Sequence, residues 1–230
     1  MRFDVVSIFP EVFQAVFERG VVGRAFARGE LGLFAHDLRD YAPGPHRQVD
    51  DAPFGGGAGM VLRPEPVFAA VEAIRPENPG PVLVMEPWGD LFDQAMALEL
   101  AAQPGLIVVC GRYEGVDARV SQGLGAREVS VGGYVLSGGE IPAMAVIDAV
   151  ARLVPGVVGD PVSLAQDSFS GGALGYPQYT RPAEYRGMRV PEALVSGDHR
   201  RIEDWRRRAS RELADRRARS GRPSRMENLS

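Results

Sequence analysis

Two glycine-rich segments hold the residues of this chain that are best suited to bind a small ligand. They read Gly111-Arg112-Tyr113-Glu114-Gly115-Val116-Asp117 and Gly132-Gly133-Tyr134-Val135-Leu136-Ser137-Gly138-Gly139-Glu140, and each directly follows an apolar run. Glycine lets the main chain approach a ligand closely and adopt a positive φ. Two such segments at strand ends predict one site that holds a ligand largely through backbone groups.

A carboxylate and a guanidinium further along the chain are candidates for acid–base chemistry. Asp167 stands in a stretch rich in Gly, Pro, Asp and Ser, and Arg152 stands at the end of an apolar helical pattern. On the two sides of an interdomain cleft they could serve as a general base and as a group that stabilises an anion. A surface aspartate and a helix-end arginine explain the same residues, so the sequence alone leaves both interpretations open.

Other chemistries find little support. The chain has three histidines, His36, His46 and His199. They lie far apart and lack the spacing of metal ligands, so we expect no structural metal site. Ser137 lacks the glycine two residues before it that a nucleophile elbow requires. The glycine cluster at residues 55–59 has neither the ending of a phosphate loop nor the spacing of a dinucleotide fingerprint. A serine hydrolase and a nicotinamide oxidoreductase are therefore disfavoured.

The apolar pattern predicts an α/β fold. Short strand-like runs and helical stretches alternate, which favours a mostly parallel sheet. In the helix at residues 11–19, one apolar face is expected from Val12, Phe13, Val16 and Phe17, with Gly20 closing the helix. The predicted strands are 4–9, 31–38, 82–85, 106–109 and 128–131, and the other predicted helices are 94–102, 116–122 and 140–153.

Glycine-bearing loops at residues 86–89, 111–115 and 132–139 follow three of these strands. Ligands of open α/β sheets bind at the carboxyl ends of the strands, so the three loops should converge on one site. The long loop at residues 39–59 is of a length that usually indicates function or disorder. Cys110 ends an apolar run, which indicates a buried strand end.

The chain is expected to hold two domains. Residues 1–156 form the larger one, residues 157–168 a linker and residues 169–230 a small second domain. In the second domain Ser196-Gly197-Asp198 can cap a helix that runs to about residue 219. Its apolar face consists of Ile202, Trp205, Ala209 and Leu213. No apolar run is long enough to span a membrane, and the amino terminus lacks the pattern of a signal peptide, so a cytoplasmic location is expected.

Positive charge is concentrated near the carboxyl terminus. All 26 basic residues are arginine, and residues 200–225 hold eleven of them against four acids although the net charge of the chain is −4. Arginine contacts phosphates in a bidentate manner and releases counterions on binding, so a polyanionic partner would explain this pole. A solvated arginine-rich helix explains it equally well.

Several motifs resemble those of the bacterial tRNA (guanine-N1)-methyltransferases, a family of the trefoil-knotted SPOUT class. They include both glycine segments, with the second extending through Ile141-Pro142-Ala143, and Asp167-Ser168-Phe169. The resemblance covers most of the chain, since Ser7-Ile8-Phe9-Pro10, Val49-Asp50-Asp51, Pro155-Gly156-Val157 and Tyr179-Thr180-Arg181-Pro182 match in the same order. It implies an α/β sheet with a deep knot, a small mainly helical C-terminal domain and a homodimer.

The activity that the resemblance implies is transfer of a methyl group from S-adenosylmethionine to N1 of guanosine-37 in tRNA. Asp167 would be the general base and Arg152 the residue that stabilises charge on the purine. The arginines that would bind RNA are Arg200, Arg201, Arg206, Arg207 and Arg208. The residues that would contact the cofactor are Pro87, Gly89, Gly111, Tyr113, Glu114, Val131, Gly132, Gly133, Tyr134, Val135, Leu136, Gly138 and Gly139. The family is also associated with Mg²⁺, which no pattern in this chain locates.

The chain departs from the family pattern in its first loop. That loop reads Glu86-Pro87-Trp88-Gly89-Asp90, whereas the family commonly has Ser-Pro-Gln-Gly-Arg. Gly133 replaces a common aspartate, and the C-terminal domain is shorter than in many relatives. Two alternatives stay open: a SPOUT methyltransferase that modifies another RNA position, and a noncatalytic RNA-binding protein that retains the cofactor fold.

Overall fold

The computed structural model describes residues 1–159, 167–169 and 174–219. The chain divides into two compact units, Met1–Gly159 and Asp160–Ser230. The division falls within the linker predicted at residues 157–168. Residues 160–166 of that linker lie outside the described ranges, as do Gly171, Gly172 and the C-terminal residues 220–230.

A parallel sheet organises the first unit. Its strands, in chain order, are β1 (Arg2–Ser7), β2 (Gly32–Asp37), β3 (Asp50–Asp51), β4 (Val61–Leu62), β5 (Val82–Leu91), β6 (Gly105–Cys110) and β7 (Arg127–Ser130). β3 and β4 form a separate antiparallel pair. The remaining strands are all parallel and lie in the order β2-β1-β6-β5-β7. The predicted α/β class and mostly parallel sheet are therefore confirmed.

Helices cover both faces of this sheet. They are α1 (Val12–Phe17), α2 (Gly20–Ala27), α3 (Pro64–Ile74), α4 (Gln94–Ala101), α5 (Arg119–Leu124) and α6 (Glu140–Ala151), with a 3₁₀ helix at Leu38–Tyr41. Successive strand residues point to opposite sides. In β6, Leu106 and Val108 join one core with α1, α2, α4 and α6, whereas Ile107 and Val109 join a second core with α3 and α5. Burial on both faces explains why the strands read as unbroken apolar runs.

The prediction for residues 11–19 was wrong in two respects. α1 ends at Phe17, and Gly20 begins α2 instead of closing a longer helix. Gly20 adopts a φ of +77°, which glycine tolerates at little cost, so the chain can turn there between two short helices. The buried face is also narrower than expected. Phe13 and Phe17 are buried one turn apart, whereas Val12 and Val16 are 37% and 50% exposed.

A buried carboxylate, Asp4, connects β1 to its surroundings. It accepts hydrogen bonds from Arg2 Nε at 2.8 Å and from Asn78 Nδ2 at 2.7 Å, and its Oδ1 lies 2.8 Å from His36 Nε2. Burial alone would raise the pKa of Asp4, but the hydrogen bonds from His36, Arg2 and Asn78 outweigh it and lower the pKa to about 2. This cluster links β1 to β2 and to the segment after α3.

The described part of the second unit contains two short strands and two helices. These are β8 (Glu184–Tyr185), β9 (Met188–Arg189), α7 (Glu192–Val195) and α8 (His199–Arg219), and the two strands pair antiparallel. Asp198 Oδ1 accepts hydrogen bonds from the backbone N–H groups of Arg200 at 2.9 Å and Arg201 at 3.3 Å. The predicted cap of α8 is therefore confirmed.

α8 packs through the apolar face that the spacing predicted. Ala209 is buried, and Ile202, Trp205 and Leu213 are half-buried. The indole of Trp205 meets the rings of Tyr176 and Tyr179 edge to face, at centroid distances of 6.4 and 5.9 Å. This arrangement gives the second unit a small aromatic core.

Candidate functional site

The three predicted loops meet at one edge of the sheet. They belong to β5, β6 and β7, which are neighbours in the order β6-β5-β7. Because carboxyl ends of parallel strands share an edge, the loops enclose one cavity, of about 230 Å³. The predicted ligand contacts that line it are Pro87, Gly111, Tyr113, Glu114, Val131, Gly132, Tyr134, Val135, Leu136, Gly138 and Gly139.

Two predicted contacts do not line this cavity. They are Gly89 and Gly133. Sequence reasoning in turn missed several residues that do line it: Met85, Glu86, Trp88, Arg112, Gly115, Val129, Ser130, Ser137 and Pro142. Most of these stand inside or beside the quoted motifs, so proximity in sequence was the available signal.

The first loop is an irregular part of a longer strand. β5 was expected to end at Met85, but it continues to Leu91, and its register against β7 shifts between Met85 and Asp90. A Cβ atom at Gly89 would lie 2.4 Å from the carbonyl carbon of Glu128, so only glycine fits where the strands pass this closely. The structure thus gives Gly89 a packing role beside the cavity.

The second loop turns sharply above β6. Tyr113 has a φ of +60° and Gly115 a φ of +113°. The Glu114 N–H donates to the Met60 carbonyl at 2.9 Å, and the Leu62 N–H donates to the Gly115 carbonyl at 3.0 Å. The pair β3–β4, which flanks the glycine cluster at residues 55–59, therefore braces this loop.

The third loop packs tightly against the second. The Gly139 N–H donates to the Gly111 carbonyl at 2.8 Å. A Cβ atom at Gly139 would lie 2.7 Å from Cys110 Cα and 2.8 Å from Gly111 N, and one at Gly138 would collide with Arg112. These glycines allow the loops to approach each other at the floor of the cavity.

A buried polar cluster joins the second and third loops to β1. Glu140 is 3% exposed and accepts hydrogen bonds from Ser7 Oγ at 2.6 Å and Arg112 Nε at 2.9 Å. Arg112 also donates to the Ser137 carbonyl at 3.1 Å and stacks on Phe9 with a distance of 4.7 Å to the ring centroid. Sequence reasoning assigned no role to Ser7, Arg112 or Glu140.

Two other titratable groups lie at this edge. Burial raises the pKa of Glu86 to about 7; the N–H of Val116 opposes the rise, and Glu128 adds to it. Burial also raises the pKa of the Cys110 thiol well above its usual value. Cys110 is 1% exposed at the end of β6, which confirms the predicted buried strand end.

The two predicted catalytic residues belong to different units. Arg152 is exposed at the C-terminal cap of α6, where its N–H donates to the Asp148 carbonyl at 3.2 Å. Asp167 is half-buried and belongs to the second unit.

The predicted RNA-binding arginines of α8 differ in their surroundings. Arg200, Arg201, Arg207 and Arg208 are exposed. Arg207 donates to Asp204 at 2.9 Å. Arg206 is half-buried, with its guanidinium 5.0 Å from the ring centroid of Tyr176, and its buried Nε has no hydrogen-bond partner among the described atoms.

Within residues 1–159, 167–169 and 174–219, no group of three or more His, Cys, Asp and Glu side chains is placed to hold a metal ion. Among the helices of these ranges, none combines the length and the apolar character needed to cross a membrane.

Known proteins are similar in sequence to this chain over most of its length. The family model "tRNA (Guanine-1)-methyltransferase TrmD" matches residues 1–226. The tRNA (guanine-N(1)-)-methyltransferase of Dictyoglomus turgidum is 51% identical over 208 residues, which is 90% of this chain and 84% of that protein. Its counterpart from Persephonella marina is 52% identical over 209 residues, covering 90% of this chain and 82% of the relative.

A solved structure agrees with this relationship. The crystal structure of the tRNA (m1G37) methyltransferase from Aquifex aeolicus superposes with a TM-score of 0.75 at 45% sequence identity, covering 89% of this chain and 87% of that one. The resemblance in the motifs therefore extends to the whole fold, and the chain belongs to the tRNA (guanine-1)-methyltransferase family.

Proposed function

We propose that this chain transfers a methyl group from S-adenosylmethionine to N1 of guanosine-37 in tRNA. The observation that carries the proposal is the cavity built from three loops at the carboxyl ends of β5, β6 and β7, two of them glycine-rich, in a chain that matches the methyltransferase family over residues 1–226. The two glycine segments that carry part of the family resemblance also line this cavity.

S-adenosylmethionine fits the chemistry of this cavity. Gly111, Gly138 and Gly139 all line the cavity, so main-chain atoms form part of its wall. At Gly138 and Gly139 an added Cβ atom would collide with the second loop, so the packing of the two loops requires glycine. Two carboxylates, Glu86 and Glu114, line the cavity and suit a cationic ligand. We assign the cofactor contacts to the predicted residues that line the cavity, and we assign Gly89 to the packing of the first loop against β7.

The three loops are inferred to form the deep trefoil knot of the SPOUT class. Support comes from the interlocked second and third loops, in which Gly139 donates to Gly111 and the backbone of Arg112 pairs with that of Gly138. A knotted arrangement would hold the loops in place without requiring large side chains between them. This would explain why so much of the wall is backbone.

When bound, S-adenosylmethionine supplies a methyl group activated by its sulfonium. Asp167 would accept the N1 proton of guanine as the new N1–carbon bond forms and the sulfur–carbon bond breaks. An ordinary aspartate, with a pKa of about 3.9, is a weak base for this proton. Arg152 would therefore stabilise the negative charge that develops on O6.

tRNA binding is assigned to the second unit. The exposed guanidinium groups of Arg200, Arg201, Arg207 and Arg208 can contact phosphates around a base that has left its stack. Arg206 packs on Tyr176 and would support the helix that presents them. The domain boundaries proposed are residues 1–156, 157–168 and 169–230.

Further features follow from the family and are part of the proposal. The chain would act as a homodimer, with each site using the knot of one subunit and the C-terminal domain of the other. Exposed apolar side chains beside the cavity, including Val135 at 86% and Ile141 at 60% exposure, are available for such a contact. A cytoplasmic location follows from the tRNA substrate, and Mg²⁺ is an additional cofactor to be tested.

Methyl transfer from labelled S-adenosylmethionine to a tRNA transcript with guanosine at position 37 tests the proposal. The product should be N1-methylguanosine at that position after digestion to nucleosides, and a transcript with adenosine at position 37 should stay unlabelled. Adding and omitting Mg²⁺ in the same assay tests the metal requirement. Label at another position would favour a sibling SPOUT enzyme, and cofactor binding without methyl transfer to any tRNA would favour a noncatalytic protein.

A further inference from the structure

Glu86 is a carboxylate in the cavity wall that the proposed reaction does not use. It is 5% exposed and lines the cavity from β5. Its Oε1 accepts a hydrogen bond from the Val116 N–H at 3.2 Å. Within the described part of the chain, Oε2 accepts no hydrogen bond from a protein donor. One oxygen thus anchors the side chain, and the other is left for a ligand or water.

The carboxylate lies directly against the second loop. A Cβ atom built on Gly115 would lie 3.2 Å from Oε1 and 3.3 Å from Oε2, and one built on Gly111 would lie 3.6 Å from Oε1. Both glycines line the cavity. Any ligand held by the backbone of this loop is therefore close to the charge of Glu86.

The other charged groups around Glu86 do not neutralise it. Glu128 on β7 has the same sign and accepts a hydrogen bond from Trp88 Nε1 at 2.9 Å. Glu114 also lines the cavity. Among the described residues that line the cavity, Arg112 is the one with a positive charge. It forms an ion pair with Glu140, with 2.9 Å between Nε and Oε2. The cavity therefore carries a net negative charge, which favours a cationic occupant.

We propose that the carboxylate of Glu86 makes the cavity prefer the sulfonium cofactor over the neutral thioether product of methyl transfer. The inference rests on the proposed use of S-adenosylmethionine. S-adenosylmethionine and S-adenosylhomocysteine share the adenosine and amino-acid groups, and they differ by one methyl group and one positive charge. When it is ionised, the carboxylate of Glu86 acts on that difference and assists release of the spent cofactor.

The preference should depend on pH in a defined direction. Burial raises the pKa of Glu86 to about 7, with the Val116 N–H opposing the rise and Glu128 adding to it. Above that pH the group is ionised and attracts the sulfonium, and below it the neutral acid does not. The two ligands carry the same α-amino group, so titration of the ligand largely cancels when their dissociation constants are compared.

Isothermal titration calorimetry on the full chain tests this role. S-adenosylmethionine and S-adenosylhomocysteine are titrated at roughly pH 6 and pH 8, about one unit on either side of the pKa of Glu86. The quantity measured is the ratio of the two dissociation constants. Glu86→Gln removes the charge but keeps an acceptor for the Val116 N–H. Glu72→Gln, the same change at an exposed position of α3, is the matched control.

The expected result is a wild-type preference for S-adenosylmethionine that is several-fold larger at the higher pH. Glu86→Gln should lower the preference at that pH by roughly tenfold and remove its pH dependence, whereas Glu72→Gln should leave both unchanged. Retained affinity for S-adenosylhomocysteine would show that the variant is folded. The wild-type pH series provides a test that needs no variant.

Two results would overturn this inference and leave the proposed cofactor unaffected. One is a wild-type ratio that is the same at both pH values. The other is an equal loss of affinity for both ligands in Glu86→Gln, because Glu86 would then bind a group that they share. A wild-type protein that binds neither ligand would overturn the proposed cofactor as well as this inference.

Discussion

Arg112 Nε donates a 2.9 Å hydrogen bond to Oε2 of Glu140, which joins the loop after β6 to the first turn of α6. Glu140 also accepts from Ser7 Oγ at 2.6 Å, so β1 is part of the same connection. The carboxylate is 4% exposed and the guanidinium 23% exposed, measured on their side chains. The two loops that line most of the cavity are thus held by one largely buried ion pair.

Arg112→Met should loosen the cavity and destabilise the first unit. Loss of the guanidinium leaves Glu140 buried without its charged partner, which costs about 3 kcal/mol of unfolding free energy. Chemical denaturation and S-adenosylmethionine titration measure the two effects. The control is Arg28→Met, which breaks an exposed pair with Glu30 and should lower the free energy of unfolding far less. Equal losses in the two variants would contradict a special role for the Arg112–Glu140 pair.

Gly139→Ala should lower cofactor affinity through the shape of the third loop. The added Cβ atom would lie 2.7 Å from Cys110 Cα and 2.8 Å from Gly111 N, so the second and third loops must separate. Overpacking of this kind costs about 2 kcal/mol, and the cavity changes shape with it. Gly159→Ala, where the added atom meets nothing within 4 Å, is the control. Calorimetry with S-adenosylmethionine showing unchanged affinity in Gly139→Ala would refute the tight contact.

Asp4→Asn should destabilise the protein at neutral pH but not in strong acid. The folded-state pKa of Asp4 is lowered from 3.8 to about 2, so the ionised group adds stability above the unfolded-state value. That contribution disappears as the pH falls from 3.8 towards 2. We expect a loss of about 2.5 kcal/mol at neutral pH, which shrinks as the pH falls through that window. Unfolding free energies of both proteins across the acid range check this, and a difference that does not change with pH would contradict it.

Charge reversal on α8 should weaken tRNA binding in a salt-dependent way. Arg201 and Arg208 are both exposed and two turns apart, so Arg201→Glu with Arg208→Glu leaves the aromatic core of the unit intact. If each arginine contacts a phosphate, the slope of log affinity against log salt should fall by about 2. The reversal of Arg19 and Arg24 on the first unit, two exposed arginines outside the cavity, is the control. An unchanged slope would favour the alternative interpretation, in which α8 is a solvated arginine-rich helix that does not contact phosphates.

Much of the fold followed from local patterns. The strands buried on both faces read as apolar runs, and Asp198 marked the start of α8 because a capping carboxylate needs only its own neighbours. α3 also had a readable signal, with Pro64 at its first position and Val67, Val71 and Ile74 on one buried face, yet no helix was predicted there. The break at Gly20 was harder to foresee, since a glycine can end a helix or begin another.

The details of the cavity depend on contacts between distant parts of the chain. The sequence predicted Gly89 as a ligand contact, whereas in the structure the backbone of Glu128 on the neighbouring strand packs so closely that only glycine fits there. The burial of Glu86 likewise depends on the Val116 N–H and on Glu128, neither of which is its sequence neighbour. Periodicity and glycine spacing locate the loops, whereas the register of β5 against β7 decides which side chains face the cavity.

The most direct test of the proposed reaction is the single-turnover rate of N1-methylguanosine formation at position 37, measured for the wild type and for Asp167→Asn with cofactor and tRNA both saturating. Asparagine preserves the shape of the side chain but cannot accept the N1 proton. We expect Asp167→Asn to bind both ligands normally and to transfer the methyl group at least about a hundredfold more slowly. A variant that methylates guanosine-37 at the wild-type rate would contradict it.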